Sequence, residues 1–477
     1  MTGASAHGGS AAGTPTTEPL IVGAMVRTLG AYPSGWRHPG AHSDPQADAA
    51  ILRRVARLGE EAGLDYLFFG DWLATGPDLE FRDPYLLARI DPMSAVLYLA
   101  GITERIGLIA TVNTTYADPY ATARAAASLD VLTGGRAGIN LVTGAEPRAA
   151  ANHGRDVHAD NADRYDRAEE FVRALRLLWE SWDDDAWIAD ASAGVLIDPD
   201  GLRPAAFAGE HVRVEGPLNV ARPPQGHLPI VHAGTSSRSR ALAATEADLA
   251  LIAAPDLASA VEARAVLRDL AEASGRDPGA LKVIVPVLPM AAETDAAARE
   301  IVDRLLLLVP IDDGGPHGGR TAFPVNRSLG AFLDAAEIAA DDPVRRASVD
   351  DGVPAGVAAR FAEPAERTLR LVRERTGRTL GGERAVTWRH LIAAHAVPAA
   401  FVVGAGGAIA DHFEHWRDAG AADGFNVLSA FQPAQFEAFT QLAVPELRRR
   451  GLVGRDGATL RDRLGVGAPR RARVPVG

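Results

Sequence analysis

Residues 105–144 read RIGLIATVNTTYADPYATARAAASLDVLTGGRAGINLVTG, and this stretch decides the class of fold. Two apolar runs, residues 105–114 and 136–144, are predicted strands, and residues 119–134 between them are a predicted helix. Pro119 stands at the start of that helix and Gly134 just past its end, where these two residue types are favoured. A strand, a helix and a second strand in this order form a right-handed βαβ unit with parallel strands.

The same alternation continues on both sides of this stretch. Further predicted strands are residues 20–26, 65–72, 228–234, 248–254, 281–290 and 424–430. Further predicted helices are residues 49–63, 93–104, 163–182, 236–246, 408–420 and 432–450. About eight strands that alternate with helices favour an α/β fold, and a closed (β/α)8 TIM barrel more than an open sheet.

The rest of the chain is predicted as follows. Residues 1–19 are a disordered leader, residues 20–465 a single barrel domain and residues 466–477 a tail. Two segments, about 183–226 and 310–383, are predicted insertions in the loops above the barrel, where they could cover a site. The leader has neither the basic nor the apolar part of a signal peptide, so a cytoplasmic protein is expected. No stretch of about 18 uncharged apolar residues suggests a membrane span.

Composition excludes several classes of chemistry. The 477 residues include no Cys and a single Lys, Lys282. A thiolate nucleophile and a Cys-ligated metal are therefore impossible, and Lys282 does not stand in a P-loop pattern. No His or acidic cluster has metal-ligand spacing, so no metal site is predicted. The net charge of −12 argues against a nucleic-acid surface. Demanding chemistry must come from oxygen and imidazole side chains or from a non-covalent cofactor.

Polar residues follow or end several predicted strands. Asp71 ends one apolar run, Asn113 ends another, and Asn140 and Thr143 lie in and after a third. TIM-barrel enzymes build their sites at the carboxyl ends of the strands. A cap or turn residue is the competing interpretation for each one taken singly. Their joint placement predicts a site at this end of the barrel.

A glycine and three hydroxyl residues open the predicted helix 236–246. Gly234 follows an apolar strand and is followed by Thr235, Ser236 and Ser237. A helix N-terminus with such residues offers N–H groups, hydroxyls and a favourable dipole to a phosphate, without a lysine. Simple N-capping by Ser or Thr is the alternative, and the residues alone leave both open.

A second glycine-rich turn is a weaker candidate for phosphate binding. Residues 404–407, Gly-Ala-Gly-Gly, follow the apolar run 399–403 and are similar to a dinucleotide fingerprint. Ile409 stands where the third glycine belongs, and no acidic residue follows at the right distance. A dinucleotide site is therefore not predicted here.

Collinear motifs over roughly residues 20–465 carry a resemblance to a known family. They are TERIGL (103–108), TVNTTY (111–116), ASLD (127–130), GGRAG (134–138), NLVT (140–143), RYDRAEEF (164–171), GPLNV (216–220), AADGFN (421–426) and VPEL (444–447). With these motifs the chain resembles the bacterial luciferase-like, flavin-dependent monooxygenases, and among them the nitrilotriacetate / dibenzothiophene-sulfone monooxygenase family.

The resemblance implies a TIM barrel with loop insertions and a two-component reaction. It implies FMN as cofactor, used as FMNH2 that a separate NAD(P)H:flavin reductase supplies. The expected reaction uses O2 to oxygenate a small organic substrate, with C–N or C–S cleavage or ring oxygenation. A homodimer or homotetramer is also implied.

Site residues follow from the resemblance position by position. The expected flavin contacts are Asp71 at the isoalloxazine edge, Thr111 and Asn113 along the ring, Asn140 and Thr143 near the ring or ribityl chain, Tyr165 facing the ribityl–phosphate region, and Thr235, Ser236 and Ser237 on the phosphate.

One position departs from the family pattern. Family members commonly carry His four residues before this Tyr, and here Asn161 stands there. An amide cannot titrate near pH 7 as an imidazole does. Asn161 itself, or His153 or His158 from the adjacent loop, is therefore the candidate catalytic group. A deazaflavin (F420)-dependent oxidoreductase on the same barrel, or a flavin-binding protein that has lost catalysis, are the alternative functions.

Overall fold

The computed structural model describes residues 18–33, 35–75, 89–309, 311, 329–359, 363–394, 397 and 399–469. Its strands in chain order are β1 (Ile21–Met25), β2 (Tyr66–Phe69), β3 (Gly107–Asn113), β4 (Ala137–Val142), β5 (Trp187–Asp190), β6 (Val195–Ile197), β7 (Phe207–Ala208), β8 (Arg213–Val214), β9 (Ile230–Ala233), β10 (Leu249–Leu251), β11 (Lys282–Ala291), β12 (Ala400–Gly404) and β13 (Gly424–Leu428).

Eight of these strands close into a parallel barrel. Their order is β1-β2-β3-β4-β9-β10-β11-β13, and β13 pairs with β1 to complete the circle. The predicted TIM barrel is thus confirmed, and each of the eight predicted strands corresponds to one strand of the barrel. The strands are mainly apolar on both faces, as expected where helices cover the outside and side chains fill the inside, and Thr111, Asn140 and Asn426 are buried polar exceptions.

The helices lie mainly around the barrel and in the second insertion. They are α1 (Asp48–Glu61), α2 (Pro92–Ala100), α3 (Pro119–Thr133), α4 (Ala149–Asn152), α5 (Asn161–Trp179), α6 (Ser237–Glu246), α7 (Leu257–Ala273), α8 (Asp295–Leu308), α9 (Leu329–Ala335), α10 (Ala355–Ala358), α11 (Glu363–Thr376), α12 (Trp388–Ala393), α13 (Gly406–Asp418), α14 (Ala434–Ala438), α15 (Val444–Arg449) and α16 (Leu460–Leu464). Within the described ranges, none of these helices has the length and apolarity to cross a membrane.

Two helix predictions need correction at their ends. The helix predicted at 163–182 begins at Asn161, because the side chain of Asp160 caps it by accepting the Asp163 N–H at 2.9 Å. The helix predicted at 432–450 is divided into α14, one π turn and α15. Pro445 lies just after the π turn and has no N–H with which to continue the regular helical ladder.

A ninth strand joins the sheet outside the circle. Strand β12 pairs in parallel with the second half of β11, from Val287 opposite Ala400 to Ala291 opposite Gly404. The sequence identified this run only as an apolar stretch before a glycine-rich turn. It forms a strand because β11, with ten residues, extends beyond its barrel neighbours and leaves an edge to pair with.

The amino-terminal end of the barrel is filled by a helix. Leu460 and Leu464 of α16 belong to the same apolar cluster as the inward-facing Ile21 and Ile109. A Cβ added to Gly107 would lie 2.6 Å from Leu460 Cδ1, so glycine makes room for this side chain. With this end closed, the carboxyl ends of the strands remain as the open face of the barrel.

The first insertion lies between α5 and β9 and consists of two short hairpins, β5–β6 and β7–β8. Helix α5 holds it, because the Glu170 carboxylate accepts the backbone N–H groups of Glu210, His211 and Val212 at 2.8–2.9 Å. Arg167, one turn earlier, donates to the carbonyls of Thr114, Ala117 and His211. These two residues of the RYDRAEEF motif therefore have structural contacts.

The second insertion lies between α8 and β12 and has its own apolar core around the buried Trp388. Helix α12 belongs to this core, so the compact unit continues past residue 383, where the sequence suggested its end. The insertion is tied to the barrel by Asp303 of α8, whose carboxylate accepts from Arg378 and Arg384.

Candidate functional site

A cavity of about 390 Å³ opens at the carboxyl ends of β2, β3, β4 and β9. This volume is ordinary for a small-molecule or cofactor site. Seven residues that the sequence singled out line it: Asp71, Asn113, Thr143, Asn161, Tyr165, Thr235 and Ser236. The wall also contains residues that the sequence did not single out as contacts, among them Trp72, Gly144, Glu146 and Arg164.

Two predicted flavin contacts, Thr111 and Asn140, lie inside the barrel and not in the cavity wall. Both side chains are buried, and Asn140 Nδ2 donates to Thr111 Oγ1 at 2.9 Å. Asn140 Oδ1 is also buried and has no hydrogen-bond partner among the described residues. A buried acceptor without a partner calls for a donor from a ligand or a water molecule.

Asn113 and Gly144 form one part of the wall together. Asn113 Oδ1 accepts the Thr115 N–H at 3.0 Å, which fixes the orientation of the amide. Gly144 has a left-handed φ of +62°, and a Cβ placed on it would overlap Asn113 Nδ2. Only glycine therefore allows the backbone after β4 to pack against this amide.

Asp71 contributes a carboxyl group to the cavity. Its Oδ1 accepts the N–H of Trp72 at 2.7 Å. Burial raises the pKa of Asp71 above that of an exposed aspartate, and the neighbouring Asp91 raises it further. This carboxyl therefore holds a proton at a higher pH than a surface aspartate does.

The start of helix α6 forms the opposite part of the wall. Ser236 caps the helix, since its Oγ accepts the Ser239 N–H at 3.1 Å, and it also lies 3.4 Å from the Tyr165 hydroxyl. The first N–H groups of an α-helix have no partner within the helix and carry partial positive charge. Ser236 thus caps helix α6 and also lines the cavity, so both interpretations of this turn hold. Ser237 is the first residue of α6 and is absent from the cavity wall.

Arg164 adds a positive charge to the cavity wall. The residue is only 8% exposed, and its Nη1 donates to the Ala159 carbonyl at 2.6 Å. Its Nε is buried with no hydrogen-bond partner among the described residues. A buried guanidinium with donors to spare favours an anionic ligand. The sequence could have predicted Arg164 as a site residue, because it follows Asn161 by three positions and positions i and i+3 share a helix face.

The two candidate histidines lie outside the wall. His158 Nδ1 is 2.7 Å from the Tyr116 hydroxyl, and the exposed His153 ring stacks on the Tyr116 ring with centroids 4.4 Å apart. Asn161 reaches the cavity wall from the first residue of α5. Across the described ranges, no group of three or more His, Asp or Glu side chains could hold a metal ion.

Comparisons with known proteins agree with this arrangement. The family model described as luciferase-like monooxygenase matches residues 31–423. The chain is 32% identical over 462 residues to N-acetyl-S-(2-succino)cysteine monooxygenase of Bacillus subtilis (strain 168), covering 96% of this chain and 98% of that protein. It is 34% identical over 472 residues to nitrilotriacetate monooxygenase component A of Aminobacter aminovorans, covering 95% and 98%. A solved structure of riboflavin lyase with modified FMN and riboflavin superimposes with a TM-score of 0.73 at 26% identity, over 94% of this chain and 96% of the other.

Proposed function

Because this chain belongs to the luciferase-like monooxygenase family, we propose that its cavity binds FMN as FMNH2, supplied by a separate NAD(P)H:flavin reductase. The protein is a flavin-dependent monooxygenase. When bound there, FMNH2 would supply the two electrons with which O2 is reduced, so that one oxygen atom would enter a small organic substrate and the other would leave as water.

The observation that carries this proposal is the positive end of the cavity. The N-terminus of α6 and the hydroxyls of Tyr165 and Ser236 lie together there, and the Arg164 guanidinium lines the same cavity. These donors suit a phosphate dianion, and they do so without a lysine or a metal ion. Thr235 lies in the same turn and adds a third hydroxyl.

The other end of the cavity suits a flavin ring. The amide of Asn113 is held in place by Thr115 and Gly144, and can donate to a ring carbonyl. Asn140 Oδ1, beneath the wall, is an acceptor without a partner among the described residues and suits a ring N–H. Amide groups recognise both donors and acceptors, as the edge of a flavin requires.

Asp71 is the group we assign to proton handling in the cavity. Its Oδ1 is engaged by the Trp72 N–H, so Oδ2 is the atom at which a proton is held or released. The raised pKa of this carboxyl brings it closer to neutral pH, where an acid or base is most effective. Trp72 also lines the cavity, and its apolar ring helps to exclude water from it.

The substrate class to test first follows from two relatives. One is named for nitrilotriacetate and the other for N-acetyl-S-(2-succino)cysteine, an amine and a thioether that both carry carboxylates. We propose a small carboxylated amine or thioether, oxygenated on the carbon beside nitrogen or sulfur. Ring oxygenation is the second possibility. A dimer or tetramer in the cytoplasm stays a prediction.

Oxygen uptake tests the proposal directly. Purified protein is mixed with FMN, a flavin reductase and NADH, and consumption of O2 is compared with product formation across carboxylated amines, thioethers and sulfones. Coupled turnover with at least one substrate is the expected result. Tight binding of a deazaflavin without oxygen consumption would favour the hydride-transfer alternative, and release of peroxide alone with every substrate would favour lost catalysis.

A further inference from the structure

His158 lies behind the cavity wall and contacts two parts of it. On one side its Nδ1 meets the Tyr116 hydroxyl at 2.7 Å. On the other side the ring lies near the backbone of Gly144, and its Nε2 is buried without a hydrogen-bond partner among the described residues. His158 therefore bridges the loop after β3 and the loop after β4.

These contacts close into a ring of four residues. The Tyr116 N–H donates to the Asn113 carbonyl at 3.2 Å, which ties the tyrosine to the end of β3. The Tyr116 hydroxyl meets His158, His158 faces Gly144, and Gly144 packs against the Asn113 amide. A displacement of the imidazole would therefore be transmitted to the amide that faces the cavity.

We propose that His158 is a positioning residue, which holds Gly144 and the Asn113 amide in the geometry that binds the flavin ring. This inference rests on the proposed function, because it concerns the same FMN site. It also separates His158 from His153, whose exposed ring stacks on the Tyr116 ring.

The charges around the imidazole determine which atom donates. Burial lowers the pKa of His158, Arg164 lowers it further, and Glu146 and the Gly144 backbone oppose both. Arg155 lies over the Tyr116 ring, with its Cζ 5.3 Å from the ring centroid. The neutral ring can then accept the Tyr116 O–H at Nδ1.

Four variants test this role through FMN affinity, measured by quenching of flavin fluorescence, and through coupling, the ratio of product to oxygen consumed. His158→Phe and Tyr116→Phe should each weaken FMN binding about tenfold, the effect of one lost hydrogen bond. Both should also lower coupling. His158→Gln keeps a donor and an acceptor and should restore most of both. His153→Phe should change FMN affinity by no more than about twofold, because His153 lies outside the cavity wall.

His415→Phe on the exposed face of α13 controls for the substitution itself. Unchanged FMN affinity and coupling in His158→Phe would overturn the proposal. If that variant does not fold, Tyr116→Phe decides, because it removes a single hydroxyl. The proposed function and this inference fail differently. Wild-type protein that binds FMN but oxygenates nothing contradicts the proposed function, and the ratios of FMN affinity between variants still test the role of His158. Wild-type protein that binds no FMN contradicts both.

Discussion

Replacement of Gly144 by Ala is the most direct perturbation of the cavity wall. Two separate costs are expected. The residue has φ +62°, in the left-handed region, where an alanine costs about 1–2 kcal/mol. The added Cβ would also overlap Asn113 Nδ2 and lie 3.1 Å from Asn113 Cγ, so the amide must move.

The second cost can be estimated from the contact that holds the amide. A shifted Asn113 loses its hydrogen bond from the Thr115 N–H, which is worth about 1 kcal/mol. The expected loss of unfolding free energy is therefore about 2–3 kcal/mol. The displaced amide also loses its hydrogen bond to the bound flavin, so FMN affinity should fall about tenfold.

Gly134 provides a matched control for the backbone cost. Its φ is +63°, and a Cβ there would meet nothing within 4 Å. Gly134→Ala should therefore lose only about 1–2 kcal/mol and should keep wild-type FMN affinity. Urea unfolding gives the free energies, and flavin fluorescence gives the affinities. If the two variants have equal stability and equal FMN affinity, the assigned contact between Gly144 and Asn113 is wrong.

Three further predictions concern single side chains. Arg164→Met should weaken FMN binding about 10- to 100-fold, because a charged hydrogen bond is lost, and it should reduce the salt dependence of binding. An unchanged Kd would show that Arg164 does not bind the phosphate. Burial raises the pKa of Asp65 to about 6, so the native state should lose up to roughly 3 kcal/mol as pH rises from about 4 to about 6. Asp65→Asn should lack this slope, and parallel urea curves for the two proteins at pH 4.5 and 7 would contradict it. Asp303→Asn should loosen the second insertion, seen as faster hydrogen exchange in residues 363–394, with FMN affinity unchanged.

The barrel could be predicted because each of its strands is a short apolar run bounded by glycine, proline or polar residues. The period-two pattern of a strand does not by itself place a residue along the barrel axis. Thr111 and Asn140 are expected at the flavin. Both lie inside the barrel, beneath the wall, and their contact with the flavin stays a prediction. Strand β12 was missed for a related reason, since its partner is the overhang of β11, which exists only in the folded sheet.

The site was predictable where the position of a side chain follows from the end of a strand. Asp71, Asn113 and Thr143 reach the cavity because parallel strands end at one face. Gly144 and His158 were not identified as partners, since their contact depends on the path of residues 144–160, which has no sequence periodicity. Arg164 belongs to the RYDRAEEF motif, but only the folded structure shows that its Nε is buried without a hydrogen-bond partner among the described residues.

The helix that fills the lower end of the barrel has a consequence for synthesis on the ribosome. Leu460 packs against Gly107 and Gly138, more than 300 residues before it in the chain. The first four strands can assemble early. The apolar side chains at the base of their inner face, however, stay exposed to water until residues 460–464 have left the exit tunnel. During that interval the nascent barrel is open at its base, and binding of a chaperone there would compete with this late helix.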